Sequence, residues 1–158
     1  MNTFDILNLC NRDPTIRSFS GVYACDNLPN KFEYPNSLIA NTKPSNHTGE
    51  HWIAIYVNKQ GYGDFFDSYG RPPQREFKRF LDKHCVSWNF SKKQLQQYTS
   101  TTCGQHCVFF IHARSLGLSL TKFLSLFTSN RAENDDIVCA YINGRYRVNT
   151  VVYDNLFQ

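Results

Sequence analysis

At 158 residues the chain has one domain's worth of length, enough to bury a real core, and we expect a single domain over 1–158. Its thirteen Phe and nine Tyr are spread from end to end, and no apolar tract is long enough to cross a bilayer, so a membrane partner is not expected. The formal charge of +4 is modest but uneven, and six scattered cysteines with no C-x-x-C pair argue against a zinc or disulfide framework.

The chain opens Met-Asn-Thr-Phe-Asp-Ile-Leu, without a basic segment followed by an apolar run. A secretory signal is therefore not expected, the thiols belong in a reducing compartment, and the sequons at Asn46 and Asn89 read as chance. Residues 1–45 are broken by Pro14, Gly21, Pro29, Pro35 and Pro44 and read as short helical and loop pieces. His51 to Val57 is a continuous apolar run of β-formers, a strand buried on both faces. Asn58 to Gly61 turns the chain, and Tyr62 to Asp67 returns it, which predicts a hairpin over 51–67.

Gln74 to His84 carries Phe77, Phe80, Leu81 and His84 at helical spacing, with basic residues outward. Between Arg71 and Lys93 stand Arg71, Arg75, Lys78, Arg79, Lys83, Lys92 and Lys93 against Glu76 and Asp82, a candidate strip for DNA or, more simply, a solvated helix face. Val86 to Phe90 and Leu95 to Tyr98 read as short strands. After Cys103 and Gly104 the residues Cys107 to Leu116 are too apolar all round for a surface helix. Thr101 or Thr102 is placed to cap that helix. Ser119 opens another helix, and Asn134-Asp-Asp136 reads as the cap of a last one. The order predicts an α+β fold with a small mixed sheet packed on the central helix that starts at Cys103.

A thiol at the mouth of a buried helix meets unpaired N–H groups and the positive end of the helix dipole, which favour thiolate. Gly104 would let a substrate carbonyl approach the backbone. A cysteine nucleophile needs a base and a group to orient it, and the hairpin brings His51 at one end beside Asp67 at the other. His47, His84, His106 and His112 compete for the base role less well, and Asp64 faces the other side of the sheet from Asp67.

The stretches Gly49-Glu-His-Trp-Ile-Ala, Phe66-Asp-Ser-Tyr-Gly70 and Leu95-Gln96 leading through Ser100 to Cys103-Gly104 and Cys107 resemble the signature of the adenovirus protease (adenain) family. Phe19-x-Gly21-x-Tyr23 and Ser37-Leu-Ile39 are similar to that family's N-terminal part, and the likeness covers roughly residues 17–116. In its brevity the chain resembles the compact members found in Maverick (Polinton) elements and adeno-like viruses. The resemblance implies a papain-like α+β cysteine endopeptidase, related at clan level to SUMO-specific proteases, with Cys103 as nucleophile, His51 as base and Asp67 where the adenovirus enzyme has Glu. It further implies an oxyanion site made by the Cys103 backbone N–H and a glutamine. Gln96 has the adenovirus spacing and is favoured, with Leu95 expected to be buried so that Gln96 turns outward to the cleft; Gln97 has the SUMO-protease spacing. The implied substrate is a viral polyprotein or capsid protein, cleaved in the virion or the host nucleus or cytoplasm. No cofactor is needed for the chemistry, and a DNA or peptide activator, the latter through Cys85, is implied by position alone. The rivals are a protease releasing ubiquitin-like or SUMO-like modifiers and a catalytically silent DNA-binding relative.

Overall fold

The computed structural model describes residues 1–154, with side chains described as far as 146, so the last residues of the expected 1–158 domain lie outside the described residues. A five-stranded sheet runs in the order β1 (Val22–Ala24), β2 (Asn36–Asn41), β3 (Trp52–Val57), β4 (Tyr62–Phe66), β5 (Ser87–Phe90). The inner strands β2, β3 and β4 pair antiparallel and the two outer pairs are parallel, which gives the expected mixed sheet. The helices are α1 (Thr3–Arg12), α2 (Arg75–His84), α3 (Cys103–Ser115), α4 (Leu120–Leu124) and α5 (Arg131–Asp154).

The unbroken apolar run of β3 is explained by a helix on each face of the sheet. Ala54 faces the cluster around α3, together with Ile39 and Phe66, while Ile53, Ile55 and Val57 face the cluster around α2, together with Leu38 and Phe65. α3 is buried from His106 to Ala113, as its composition predicts for the helix in the middle of the domain. Phe110 stacks on Phe66 at 4.7 Å between ring centroids, and the edge of Phe123 closes the group at 5.4 Å from each. α1 closes the open side of α3 through Ile6 and Cys10, and its start is fixed by a reciprocal cap between Asn2 and Asp5.

Three expectations are corrected. Residues 1–45 contain two strands as well as helix and loop, and β2 is an inner strand with every residue from Ser37 to Asn41 buried. Its neighbouring prolines hide it from periodicity, because Pro35 falls just before the first paired residue and Pro44 beyond the last. Leu95 to Tyr98 is not a strand: the N–H groups of Leu95 and Gln96 both donate to the Ser68 carbonyl, at 2.8 and 3.0 Å, which wraps the segment against the end of the hairpin. The last helix begins at Arg131, so Asn134 and Asp135 lie inside it and cap nothing.

The Phe66–Phe110–Phe123 group joins the sheet to α3, so Phe110→Ala should cost about 3–5 kcal/mol of stability. Urea unfolding followed by circular dichroism checks this; a loss well under 1 kcal/mol would mean the two layers are held elsewhere.

Candidate active site

The hairpin register fixes the first half of the site. Ala54 lies opposite Phe66, and continuing that pairing sets Ile53 opposite Asp67 and His51 opposite Tyr69. His51 and Asp67 are thus diagonal neighbours on one face, close enough for long side chains to meet. His51 Nε2 lies 2.7 Å from Asp67 Oδ1, with both residues buried. The Tyr69 backbone N–H donates to the same oxygen at 2.8 Å, and the Tyr69 ring stacks on the imidazole at 4.6 Å. Asp64 lies on the other face, as expected, and pairs with Arg114 of α3 at 2.8 Å.

With Nε2 engaged by Asp67, the remaining ring nitrogen, Nδ1, is left for the Cys103 thiol, and His51 and Cys103 each draw the other toward its charged form. Burial works against a charged ring, but the bonds to Asp67 and Cys103 outweigh it and lift the imidazole to about 9. Burial likewise pushes the Cys103 thiol up, yet the His51 bond and the backbone N–H groups of Trp52 and Gly104 bring it below its ordinary value. The three side chains therefore shift the pair toward thiolate and imidazolium, which is the charge state a nucleophilic cysteine requires.

Gly104 has a different surrounding from the one expected. A Cβ there would sit 3.0 Å from the Met1 Cβ and 3.3 Å from its sulfur, so the Met1 side chain covers the position. Met1 also accepts a hydrogen bond from the Trp52 indole at 3.2 Å. A cleft of about 640 Å³ opens at Cys103 between Met1, Trp52, Tyr69, Ser100 and Thr101. Among the described residues no three His, Cys, Asp or Glu side chains converge as a metal set.

Gln96 and Gln97 part company. We expected Gln96 to turn outward beside a buried Leu95, but both are fully buried. Gln96 Oε1 accepts from the Ser68 hydroxyl at 2.6 Å, and Nε2 donates to the Ser100 carbonyl and hydroxyl at 3.0 and 3.1 Å. Its amide is thus held against the segment that leads to Cys103, whereas the exposed Gln97 side chain only reaches Thr99. Thr102 occupies the N-cap position of α3 without making a capping bond; its hydroxyl donates to Asp135 of α5 at 2.7 Å.

The other candidates take structural places. His106 is buried against Asp135, His112 contacts Tyr141, His84 packs on Phe80, and His47 is exposed at the rim of the cleft. In the basic segment Lys78 pairs with Asp82 at 2.6 Å, and Lys93 turns inward to the Leu124 and Phe127 carbonyls at 3.2 and 2.7 Å. Burial pushes the Cys85 thiol up to about 11, and it packs where a Cβ on Gly63 would fall. Sequence reasoning missed Tyr69, Met1 and Asp135. The first could have been found from the hairpin register, but the others depend on how distant segments return to the site.

The sheet, the central helix and the Cys103–His51–Asp67 cluster define a papain-like cysteine peptidase architecture. Residues 43–143 match the Ulp1 protease family, C-terminal catalytic domain, and the chain belongs to that family of cysteine peptidases. The matching family is thus that of Ulp1 rather than the adenovirus protease family that the motifs resemble. The chain is 30% identical over 99 residues to the SUMO-1 cysteine protease of African swine fever virus, covering 55% of this chain and 36% of that protein. It therefore spans about a third of the length of the curated relatives it matches. The selenomethionine crystal structure of the African swine fever virus protease superposes with a TM-score of 0.50 at 28% identity, over 63% of this chain and 41% of that one. ChlaDub1 from Chlamydia trachomatis shares the fold, with a TM-score of 0.55 at 18% identity over 69% of this chain and 59% of that one.

The ion pair has a pH signature. Alkylation of Cys103 by iodoacetamide should persist below the ordinary thiol range, because the His51 cation is present there and is lost only as pH rises through about 9. Asp67→Asn removes the charge that holds the cation, so the alkylation profile should move alkaline by about one pH unit or more. A profile that does not move would leave thiolate stabilisation to the backbone N–H groups alone.

Proposed function

We propose that the chain is a thiol endopeptidase that cleaves viral or virus-like structural polyproteins, in the virion or in the host nucleus or cytoplasm. The observation that carries the peptidase reading is the buried His51 bonded to the Asp67 carboxylate at 2.7 Å beside Cys103, at the start of α3, whose thiol His51 draws below its ordinary value. The Cys103 thiolate attacks the scissile carbonyl carbon, and the carbonyl oxygen becomes an oxyanion facing the Cys103 N–H and the Gln96 amide. The His51 imidazolium gives its proton to the leaving amine as the C–N bond breaks, which leaves a thioester. Water then loses a proton to His51 and attacks the thioester, and the carboxylate product departs as the thiolate is restored. A developing oxyanion would take one Nε2 hydrogen of Gln96 from Ser100.

The viral assignment is supported by relatives encoded by a virus. A second reading, release of SUMO-like modifiers, is favoured by the matching Ulp1 family and by the name of the relative, SUMO-1 cysteine protease. DNA and an activator peptide do not enter the proposal: Lys93 is turned into the fold, Lys78 is paired with Asp82 at the surface, and the Cys85 thiol is packed against Gly63. SUMO and ubiquitin carrying a C-terminal aminocoumarin amide, set beside a fluorogenic peptide library, separate the two readings. Turnover of peptides without turnover of either modifier supports the polyprotein reading, and the reverse supports the second.

On any reporter that is turned over, Cys103→Ala should abolish hydrolysis. Cys107→Ala should retain measurable activity, since Cys107 is fully buried with its thiol pushed well above the ordinary value. Equal loss in both variants would defeat the assignment of the nucleophile.

Gln96→Ala should lower kcat by roughly a hundredfold with little change in KM, the pattern of a donor that acts only on transition-state charge. Gln97→Ala should do little. If Gln97→Ala carries the turnover defect instead, the oxyanion donor is misassigned.

A further inference from the structure

Three groups on the segment that delivers the nucleophile converge on one carboxylate from α5. Asp135 Oδ1 accepts from the Thr102 hydroxyl at 2.7 Å and lies 2.8 Å from His106 Nε2, while Oδ2 accepts the Gln97 backbone N–H at 3.1 Å. Only 6% of Asp135 is exposed. Burial would push its carboxyl up, but the bonds from His106, Thr102 and Gln97 outweigh that and hold it below the usual range. The bonds are thus charge-assisted. The preceding residue, Asn134, is fully buried and donates to the Leu95 carbonyl at 3.1 Å and the Thr128 carbonyl at 3.2 Å. One turn of α5 therefore grips residues 95–102 at both ends, together with the first turn of α3.

What lies between those grips is the oxyanion side of the site. The peptide linking Thr102 to Cys103 carries the Cys103 N–H, and its plane is set by the ψ angle of Thr102. An N-cap residue ordinarily adopts extended geometry and bonds the N–H groups of the first turn. Thr102 instead has φ −92° and ψ 8° and makes no cap bond. Its hydroxyl is held by Asp135 in place of a cap, and the same carboxylate anchors the backbone N–H of Gln97, the peptide that follows Gln96.

We infer that Asp135 is a positioning residue for catalysis: by tying Thr102, His106 and Gln97 together it aims the Cys103 N–H and the Gln96 amide at the point where the oxyanion forms. This rests on the peptidase reading above. Asp135 touches neither the thiol nor the imidazole through any bond described, so its removal should spare the thiolate–imidazolium pair and harm the step in which charge appears on the carbonyl oxygen.

The test uses the full chain and an aminocoumarin reporter that the wild type hydrolyses, with iodoacetamide alkylation of Cys103 measured in parallel. Alkylation passes through no oxyanion, so it reports the ion pair alone. Asp135→Asn should lower kcat about tenfold or more, leave KM within about twofold and leave the alkylation rate within about twofold. Thr102→Val, which removes one hydroxyl, should act in the same direction, Thr102→Ser should restore turnover, and the exposed neighbour variant Asp136→Asn should match wild type. The double variant Asp135→Asn with Thr102→Val should be little worse than the worse single one, since both break one path. Unchanged kcat in Asp135→Asn overturns the inference, as does a fall in alkylation parallel to the fall in kcat, which would make Asp135 a clamp of the fold alone. Should Asp135→Asn not fold, Thr102→Val decides on the same criteria. A wild type in which iodoacetamide labels Cys103 no faster than an ordinary thiol would defeat the peptidase reading itself, a result distinct from either of these.

Discussion

A charged imidazole taken out of water must be compensated at both of its nitrogens, and this constraint organises the molecule around His51. Asp67 supplies one partner at 2.7 Å and the Cys103 sulfur the other. Each partner is itself committed: the carboxylate oxygen that faces the ring also accepts the Tyr69 N–H, and the backbone N–H groups of Trp52 and Gly104 draw the thiol toward its anionic form. Breaking either side would leave a buried charge without its counterpart, which is far more costly than the pair is stabilising. The helix that begins at Cys103 consequently has to start where the hairpin ends, and it then crosses the sheet as the core helix.

The hairpin meets this demand with a short acid. His51 and Asp67 are diagonal rather than directly opposite, and the reach of the imidazole across that longer gap lets an aspartate meet it at 2.7 Å. Three residues earlier the pleat sends Asp64 to the other face, where it meets Arg114, whose guanidinium also lies 4.7 Å over the Tyr56 ring. Two aspartates three residues apart thus do separate work: one holds the His51 ring, and the other fastens the far end of α3 to the sheet. Tyr69 covers the exposed side of the imidazole, and Arg71 lies 4.7 Å over that ring in turn.

What could be read from the sequence was what depends on local pattern. The apolar run of 51–57, the turn after it and the helical spacing of 74–84 each carry their own period, and the hairpin then brings His51 and Asp67 together without further information. The cap at Ser119 and the burial of α3 follow in the same way. β2 was not legible because prolines stand near both ends of a run of only six residues, and its pairing partner lies in the later hairpin. Gln96 was legible only through likeness to known proteases, and the reason given for its direction was wrong: it is fixed by Ser68 and Ser100 rather than turned outward. Asp135 looked like a helix cap because an Asn-Asp-Asp triplet ordinarily is one; the preceding helical turn from Arg131 displaces it into the interior.

The site is consequently held from two directions. The thiolate–imidazolium half is fixed by the hairpin through Asp67 and Tyr69, and the half that would face the oxyanion is fixed by α5 through Asn134 and Asp135. The two meet at Cys103, whose sulfur belongs to the first and whose N–H belongs to the second. Such a division lets the stability of the ion pair and the aim of the N–H be set by different residues, so that substitutions in one element need not disturb the other. α5 itself packs on α3 through Val138, Ile142 and Tyr141, and this places Asn134 and Asp135 over the approach to Cys103; without their grip, residues 95–102 would be tied to the fold chiefly through Ser68, which receives Leu95 and Gln96 but leaves Thr102 unheld.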